Sequence, residues 1–285
     1  MGKYKKILVA VDGSESSKNA FRQACRLACS DKCWITALTT IPIFQDQFES
    51  LSAKEKATKA LREQGEKALA EIEKIAKEEG VNVKTLLEEG HPSEVIRDVA
   101  DENGCDLVVM GRRGKTRIER ALMGSVTARV IGQASTDVLV VQRDAAVEFG
   151  KILLPTDGSK FSKAATERAI GLAGAYGGEL AALSVVDFNE EFYTEAPEAV
   201  DDFVKWAKTV VDGVKKKAEA KGVKAEGFVR EAEAYEAITS LAKEQGATLV
   251  VMGSHGRTGL RRLLMGSVTE KVIGHTSIPV LVVKH

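Results

Sequence analysis

Residues 108–126 read VVMGRRGKTRIERALMGSV, and residues 250–268, 142 positions later, read VVMGSHGRTGLRRLLMGSV. This repetition limits the fold more than any other feature of the chain. It also reaches further. ILVAVDGSESSKNA (7–20) matches ILLPTDGSKFSKAA (152–165), and TDVLVVQR (136–143) matches SIPVLVVKH (277–285). A period this long signals two duplicated domains rather than a solenoid. The boundaries read as 1–143 and 151–285, linked by DAAVEFG. A chain of 285 residues accommodates two domains of about 140 comfortably.

Each half alternates short β-branched runs with longer helical patterns. In the first half, strands are predicted at 5–11, 34–41, 83–88, 106–110 and 137–141, and helices near 15–29, 54–79, 92–102 and 125–133. The second half repeats the order, with strands near 151–156, 179–186, 224–230, 248–252 and 279–283. Such alternation implies a parallel sheet with helices on both faces. LVVM and VLVV are apolar throughout, as strands covered on both faces should be.

The apolar fraction of 44% gives each half enough material for a core, and the 5% of aromatics makes that core aliphatic. Lys plus Arg equals Asp plus Glu at 41 each, so no net field draws in nucleic acid or an anionic membrane. The opening MGKYKKILVAVDGS enters a β-like run directly and lacks the marks of a signal peptide. No apolar run approaches a membrane span. The expectation is a soluble cytoplasmic protein.

The duplication supplies an internal control on candidate residues. His91 faces Glu233, His255 faces Arg113 and His275 faces Gln133, so no histidine is shared and a common histidine-centred mechanism is disfavoured. Cys25, Cys29, Cys33 and Cys105 face Ile170, Gly174, Gly178 and Ala247. A metal or redox role for the first three competes with a simpler one as small, reduced, core-facing residues.

Both halves keep Asp12-Gly13-Ser14 and Asp157-Gly158-Ser159 after the first strand. In parallel sheets ligands bind beyond the carboxyl ends of the strands, where an Asp can meet a ribose hydroxyl or a metal-bound water. The same tripeptide also makes a turn and helix N-cap unaided. Both halves further keep Gly111-x-x-Gly114, nine residues, Gly124-Ser125, matched by Gly253-x-x-Gly256, nine residues, Gly266-Ser267. Glycines allow positive φ and close backbone approach, and successive amides form anion nests. Gly-Ser at the start of the last helix directs its free N–H groups and dipole to the same point. Neither the Walker A spacing nor GxGxxG fits. Two ordinary glycine turns are the plain alternative for one copy, but the full pattern occurs twice.

The combination resembles the universal stress protein family, in its ATP-binding class, whose pattern is G-x-x-G, nine residues, then Gly followed by Ser or Thr. The resemblance covers nearly the whole chain, including VDGS at the start and PVLVV at the end. It implies tandem α/β/α domains, each with five parallel strands in order 3-2-1-4-5. It also implies antiparallel pairing of Val138–Val141 with Val280–Val283 as an intramolecular pseudo-dimer, with a further homodimer as an option. Carried over, Asp12 and Asp157 sit at the ribose or metal side. Gly111, Gly114, Gly124, Ser125 and Val126 hold ribose and phosphates, as do Gly253, Gly256, Gly266, Ser267 and Val268. Thr40 and Val185 meet adenine through their backbone, and Ala10 and Pro155 line the pocket.

The halves also differ. GHPSEVI precedes the third helix of the first, AEAYEAI that of the second, and Arg112, Arg113 and Lys115 stand against Ser254, His255 and Arg257. The acidic segment DFNEEFYTEAPEAVDDF (187–203) reads as a lid, a partner surface or an exposed loop. The resulting expectation is a stress-response protein holding ATP, ADP or AMP, with Mg²⁺ as an option, at one site per domain. Slow ATP hydrolysis and a nucleotide-free interaction module are the alternatives.

Overall fold

The computed structural model describes residues 3–43, 51–114, 123–188, 190–256 and 265–285. They form two compact units, Tyr4–Ala145 and Ala146–His285, the latter also taking Lys3. The first unit runs β1 (Lys6–Ala10), α1 (Glu15–Asp31), β2 (Trp34–Ile41), α2 (Leu51–Glu78), β3 (Val83–Glu89), α3 (Pro92–Glu102), β4 (Leu107–Gly111), α4 (Ser125–Gln133) and β5 (Asp137–Val141). The second runs β6 (Lys151–Pro155), α5 (Lys160–Tyr176), β7 (Glu179–Val186), α6 (Glu190–Glu195), α7 (Pro197–Glu219), β8 (Ala225–Glu231), α8 (Ala234–Glu244), β9 (Leu249–Gly253), α9 (Ser267–His275) and β10 (Val280–Val283).

Strand order is β3-β2-β1-β4-β5 in the first unit and β8-β7-β6-β9-β10 in the second. Every pair within a unit is parallel. The expected α/β class and 3-2-1-4-5 order are therefore what the chain adopts. β1 lies between β2 and β4, with Ala10 opposite both Leu38 and Met110. The order reverses there, which opens a crevice at the carboxyl ends of β1 and β4.

The central strands are apolar because both faces are covered. Ile7, Leu8, Val9 and Leu107, Val108, Val109 are at most 1% exposed. β3 and β8 are outermost on one side and are half exposed, which is why charged residues are tolerated there. Helices approach closely through small residues one turn apart. Ala20, Ala24 and Ala28 of α1, and Ala165, Ala169 and Ala173 of α5, are all buried, as helix spacing requires for a single face.

Both first helices begin alike. The Ser17 N–H donates to Ser14 Oγ at 3.2 Å, and the Ser162 N–H to Ser159 Oγ at 3.2 Å. They end differently. Gly177 closes α5 in the left-handed region at φ 68°, whereas α1 ends on Lys32 at φ 55°. Among the described residues Lys32 is the only non-glycine with positive φ.

Within the acidic stretch 187–203, Glu190–Glu195 form α6 and the residues from Pro197 begin α7. Phe188 stacks on Phe192 at 4.3 Å and meets Phe203 edge-on at 4.9 Å. These rings pack against buried Val186, Val200 and Ala207. The segment is thus anchored by an aromatic cluster, and the exposed-loop alternative does not hold.

Candidate functional site

Asp12 and Asp157 follow β1 and β6 directly. Each carboxylate folds back into its own turn, accepting the N–H of Ser14 or Ser159 on Oδ1 at 3.0 Å. The intervening Gly13 and Gly158 take φ 78° and 73°. Turn, cap and acidic group therefore coexist, and the second carboxylate oxygen faces the glycine loop. A Cβ on Gly114 would overlap Asp12 Oδ2, and one on Gly256 would lie 2.9 Å from Asp157 Oδ2.

The three paired glycines serve different ends, and none of the six takes positive φ. Backbone freedom is thus not their reason; for four of them close approach is. Gly111 lets α1 press on the end of β4, since a Cβ there would sit 2.9 Å from the Ser16 carbonyl carbon. Gly253 does the same against Phe161 of α5, at 2.9 Å. Gly114 and Gly256 make way for the Asp. Gly124 and Gly266 are under no such demand: a Cβ on either would find its nearest neighbours at 3.4 Å, an ordinary contact.

Gly124 and Gly266 are the N-caps of α4 and α9, and no side chain caps either helix. The amides of Ser125, Val126, Ser267 and Val268 thus stand at helix N-termini, where N–H groups lack intrahelical partners and the dipole is positive. Ser125 and Ser267 are exposed; Gly124, Val126, Gly266 and Val268 are half-buried. The loop is tied to its strand by the Gly124 N–H donating to the Arg112 carbonyl at 2.9 Å, and by the Gly266 N–H donating to that of Ser254 at 2.9 Å.

Sequence reasoning missed one shared residue. Thr127 and Thr269 are buried, and each hydroxyl donates to the carbonyl of the strand-ending glycine, Gly111 or Gly253, at 3.1 Å. They fix the helix N-terminus over the strand end. The signal was present as GSVT in both halves.

Asp12, Gly111, Gly114 and Gly124 are thus brought into one cluster, as are Asp157, Gly253, Gly256 and Gly266. Ala10 and Pro155 end β1 and β6 and are half-buried. Thr40 and Val185 lie near the carboxyl ends of β2 and β7, one strand away, also half-buried. Val185 lines a cavity of about 310 Å³ together with Val186, Asp187, Phe188, Phe203, Trp206 and Ala207.

The loops differ electrostatically. Burial, and then the neighbouring Arg113, holds the Arg112 guanidinium below its usual range. In the second unit Ser254 is buried and its Oγ lies 3.2 Å from His255 Nδ1, with that ring against Phe161. Lys115, Arg120, Arg257 and Arg262 lie outside the described residues. The differing segments before α3 and α8 start their helices at equivalent places: the Gly90 N–H donates to the Ile41 carbonyl and the Ala232 N–H to that of Val186. The second unit adds a bond from the Ala234 N–H to Asp187 Oδ2, at 2.9 Å.

Cys25 is buried, Cys29 exposed, and the Cys33 thiol donates to the Tyr4 carbonyl at 2.9 Å. Among the described residues no three of His, Cys, Asp or Glu come together as a metal site. Nor is any described helix long and apolar enough to cross a membrane.

The sequence profile of the universal stress protein family matches residues 3–142 and again 148–284. A universal stress protein of Methanocaldococcus jannaschii is 38% identical over 143 residues, covering 49% of this chain and 83% of its own. One from Mycolicibacterium smegmatis is 29% identical over 299 residues, covering 98% of this chain and 96% of its own. Among solved structures, a universal stress protein from Archaeoglobus fulgidus superposes with a TM-score of 0.77 at 21% identity, spanning 98% of this chain and 96% of that one, a likeness of fold. With the family profile matched once by each half, and both halves built on the same five-stranded plan, the chain belongs to the universal stress protein family and carries its domain twice.

Proposed function

We propose that each unit binds one adenine nucleotide in the crevice beyond its first and fourth strands, and that the protein acts in the cytoplasm as a stress-response regulator. The observation that carries this reading is the pair Gly124 and Gly266. Packing accounts for Gly111, Gly114, Gly253 and Gly256, yet these two have room for a side chain and still lack one. They stand at helix N-termini without a side-chain cap. A phosphate approaching those amides supplies the reason, since it would take the N–H groups a capping side chain would otherwise take.

On this reading Ser125, Val126, Ser267 and Val268 hold phosphates through their amides. Gly111, Gly114, Gly253 and Gly256 shape the loop around the ribose. Asp12 and Asp157 face the ribose hydroxyls, or a Mg²⁺ held mainly by phosphate oxygens. Thr40, Val185, Ala10 and Pro155 border the base. Binding rather than fast turnover follows from the shared groups. Among the described residues the carboxylates kept by both clusters are Asp12 and Asp157, each engaged by a serine amide, and efficient phosphoryl transfer needs a group positioning water and another stabilising charge. The two units are joined, in the same proposal, through Val138–Val141 and Val280–Val283. Each segment reads VLVV and is the last strand of its unit, an apolar edge of the kind that proteins cover or pair.

Thermal melting tests the reading. Adenine nucleotide at about a hundredfold over Kd should add roughly 2.7 kcal/mol of stability. Gly124→Ala and Gly266→Ala should each cost no more than about 1 kcal/mol without ligand, and each should remove about half of the bound nucleotide. Melting that is flat across ATP, ADP and AMP sinks the proposal.

A further inference from the structure

The cavity at the end of β7 has one feature that nucleotide binding in general does not account for. Its walls are Val185, Val186, Phe188, Phe203, Trp206 and Ala207, with Asp187 as the single charged group. At about 310 Å³ it falls in the lower part of the range of small-molecule sites, about 300–1,000 Å³. Trp206 remains 37% exposed, one of few large apolar side chains so placed. The far side of the same indole approaches the turn after β6: a Cβ on Gly158 would lie 2.9 Å from its Cζ2. The ring therefore spans from the Asp157-Gly158 turn to the cavity.

The first unit has no tryptophan at the corresponding position of its helix. Gly80 and Gly222 follow α2 and α7 at φ 69° and 72°. Counting back from both at equal spacing, Trp206 corresponds to Gln64, an exposed residue of α2. An indole presenting apolar surface to a cavity suits a flat heteroaromatic ring, whose π-face stacks on it. An aliphatic ligand would gain contact area from the indole but no stacking.

Resting on the nucleotide reading above, we propose that Trp206 is the stacking platform for the base in the second unit only, so that the two sites are unequal. The second site recognises the base by stacking; the first relies on backbone and aliphatic contacts.

The test uses the full chain carrying Trp34→Phe. Trp34 is 76% exposed, and its replacement leaves Trp206 as the single indole among the two tryptophans of the sequence. AMP is titrated while indole fluorescence and, by equilibrium dialysis, bound nucleotide are followed. AMP should quench the emission as the second site fills, and ribose 5-phosphate should not. Trp206→Leu, which keeps the apolar bulk, should weaken one of the two sites about tenfold, and Trp206→Phe should restore most of that loss. Melting confirms that each variant is folded. Two bound AMP with unchanged fluorescence, equal quenching by ribose 5-phosphate, or unaltered affinities in Trp206→Leu would overturn the role of Trp206 and leave the nucleotide reading standing. No AMP retained in dialysis would remove both.

Discussion

Gly114 has no side chain because Asp12 occupies the space: a Cβ there would overlap Oδ2 of the carboxylate whose Oδ1 accepts the Ser14 N–H. Gly256 and Asp157 repeat the relationship at 2.9 Å. Two motifs about a hundred residues apart in each half are thus one device. Gly114→Ala should cost about 1 kcal/mol by displacing the carboxylate, and almost nothing once Asp12→Ala has removed it. The coupling in a double-mutant cycle should exceed about 0.5 kcal/mol. Equal costs in both backgrounds would show that the two residues do not compete for space.

Gly111 and Gly253 answer to backbone as well as to side chain. Alanine at either position brings its Cβ to 2.9 Å from a carbonyl carbon of the first helix. Overpacking of this kind costs about 1–3 kcal/mol. Denaturant unfolding without nucleotide should therefore show Gly111→Ala and Gly253→Ala to be more damaging than Gly124→Ala and Gly266→Ala. The reverse ranking would contradict the assignment.

Lys32 holds a left-handed conformation that its counterpart gives to Gly177. Such a conformation costs a residue with a Cβ about 1–2 kcal/mol, partly offset by the flexibility glycine gains when unfolded. Lys32→Gly should raise stability by about 0.5–1 kcal/mol in urea titration. A loss would mean that the lysine side chain contributes more than its backbone strain.

Burial, with Glu79 and Cys29 adding to it, pushes the Cys25 thiol up to about 12 from its usual 9.0. The sign follows: the unfolded chain releases this proton first, so the contribution to stability is full below about pH 9 and is lost as pH rises toward 12. In the native protein at pH 8 the exposed Cys29 should react with a thiol reagent while Cys25 stays protected until unfolding. Cys25→Ser should flatten the decline of stability between pH 9 and 11. Rapid labelling of Cys25 in the folded state would refute this.

The sequence alone determined the duplication, the α/β class, the strand positions and the candidate residues. Short apolar runs rich in β-branched residues, alternating with longer helical patterns, read as strands covered on both faces, and the repeated Gly pattern marked backbone to which something comes close. What that something is, only tertiary structure decided. Ser16, Phe161 and Asp12 reach their glycines through pairings between segments distant in the chain, which no local pattern encodes. The same holds for Thr127 and Thr269, which read as unremarked helix residues until β4 and β9 bring a carbonyl beneath them. The acidic stretch 187–203 left a lid, a partner surface and an exposed loop open, because its acidic residues interrupt every apolar run. Its helices α6 and α7 are held down because Phe188, Phe192 and Phe203 converge on Val186 and Ala207 once α7 lies across β7, and burial of those rings outweighs the local preference for solvent.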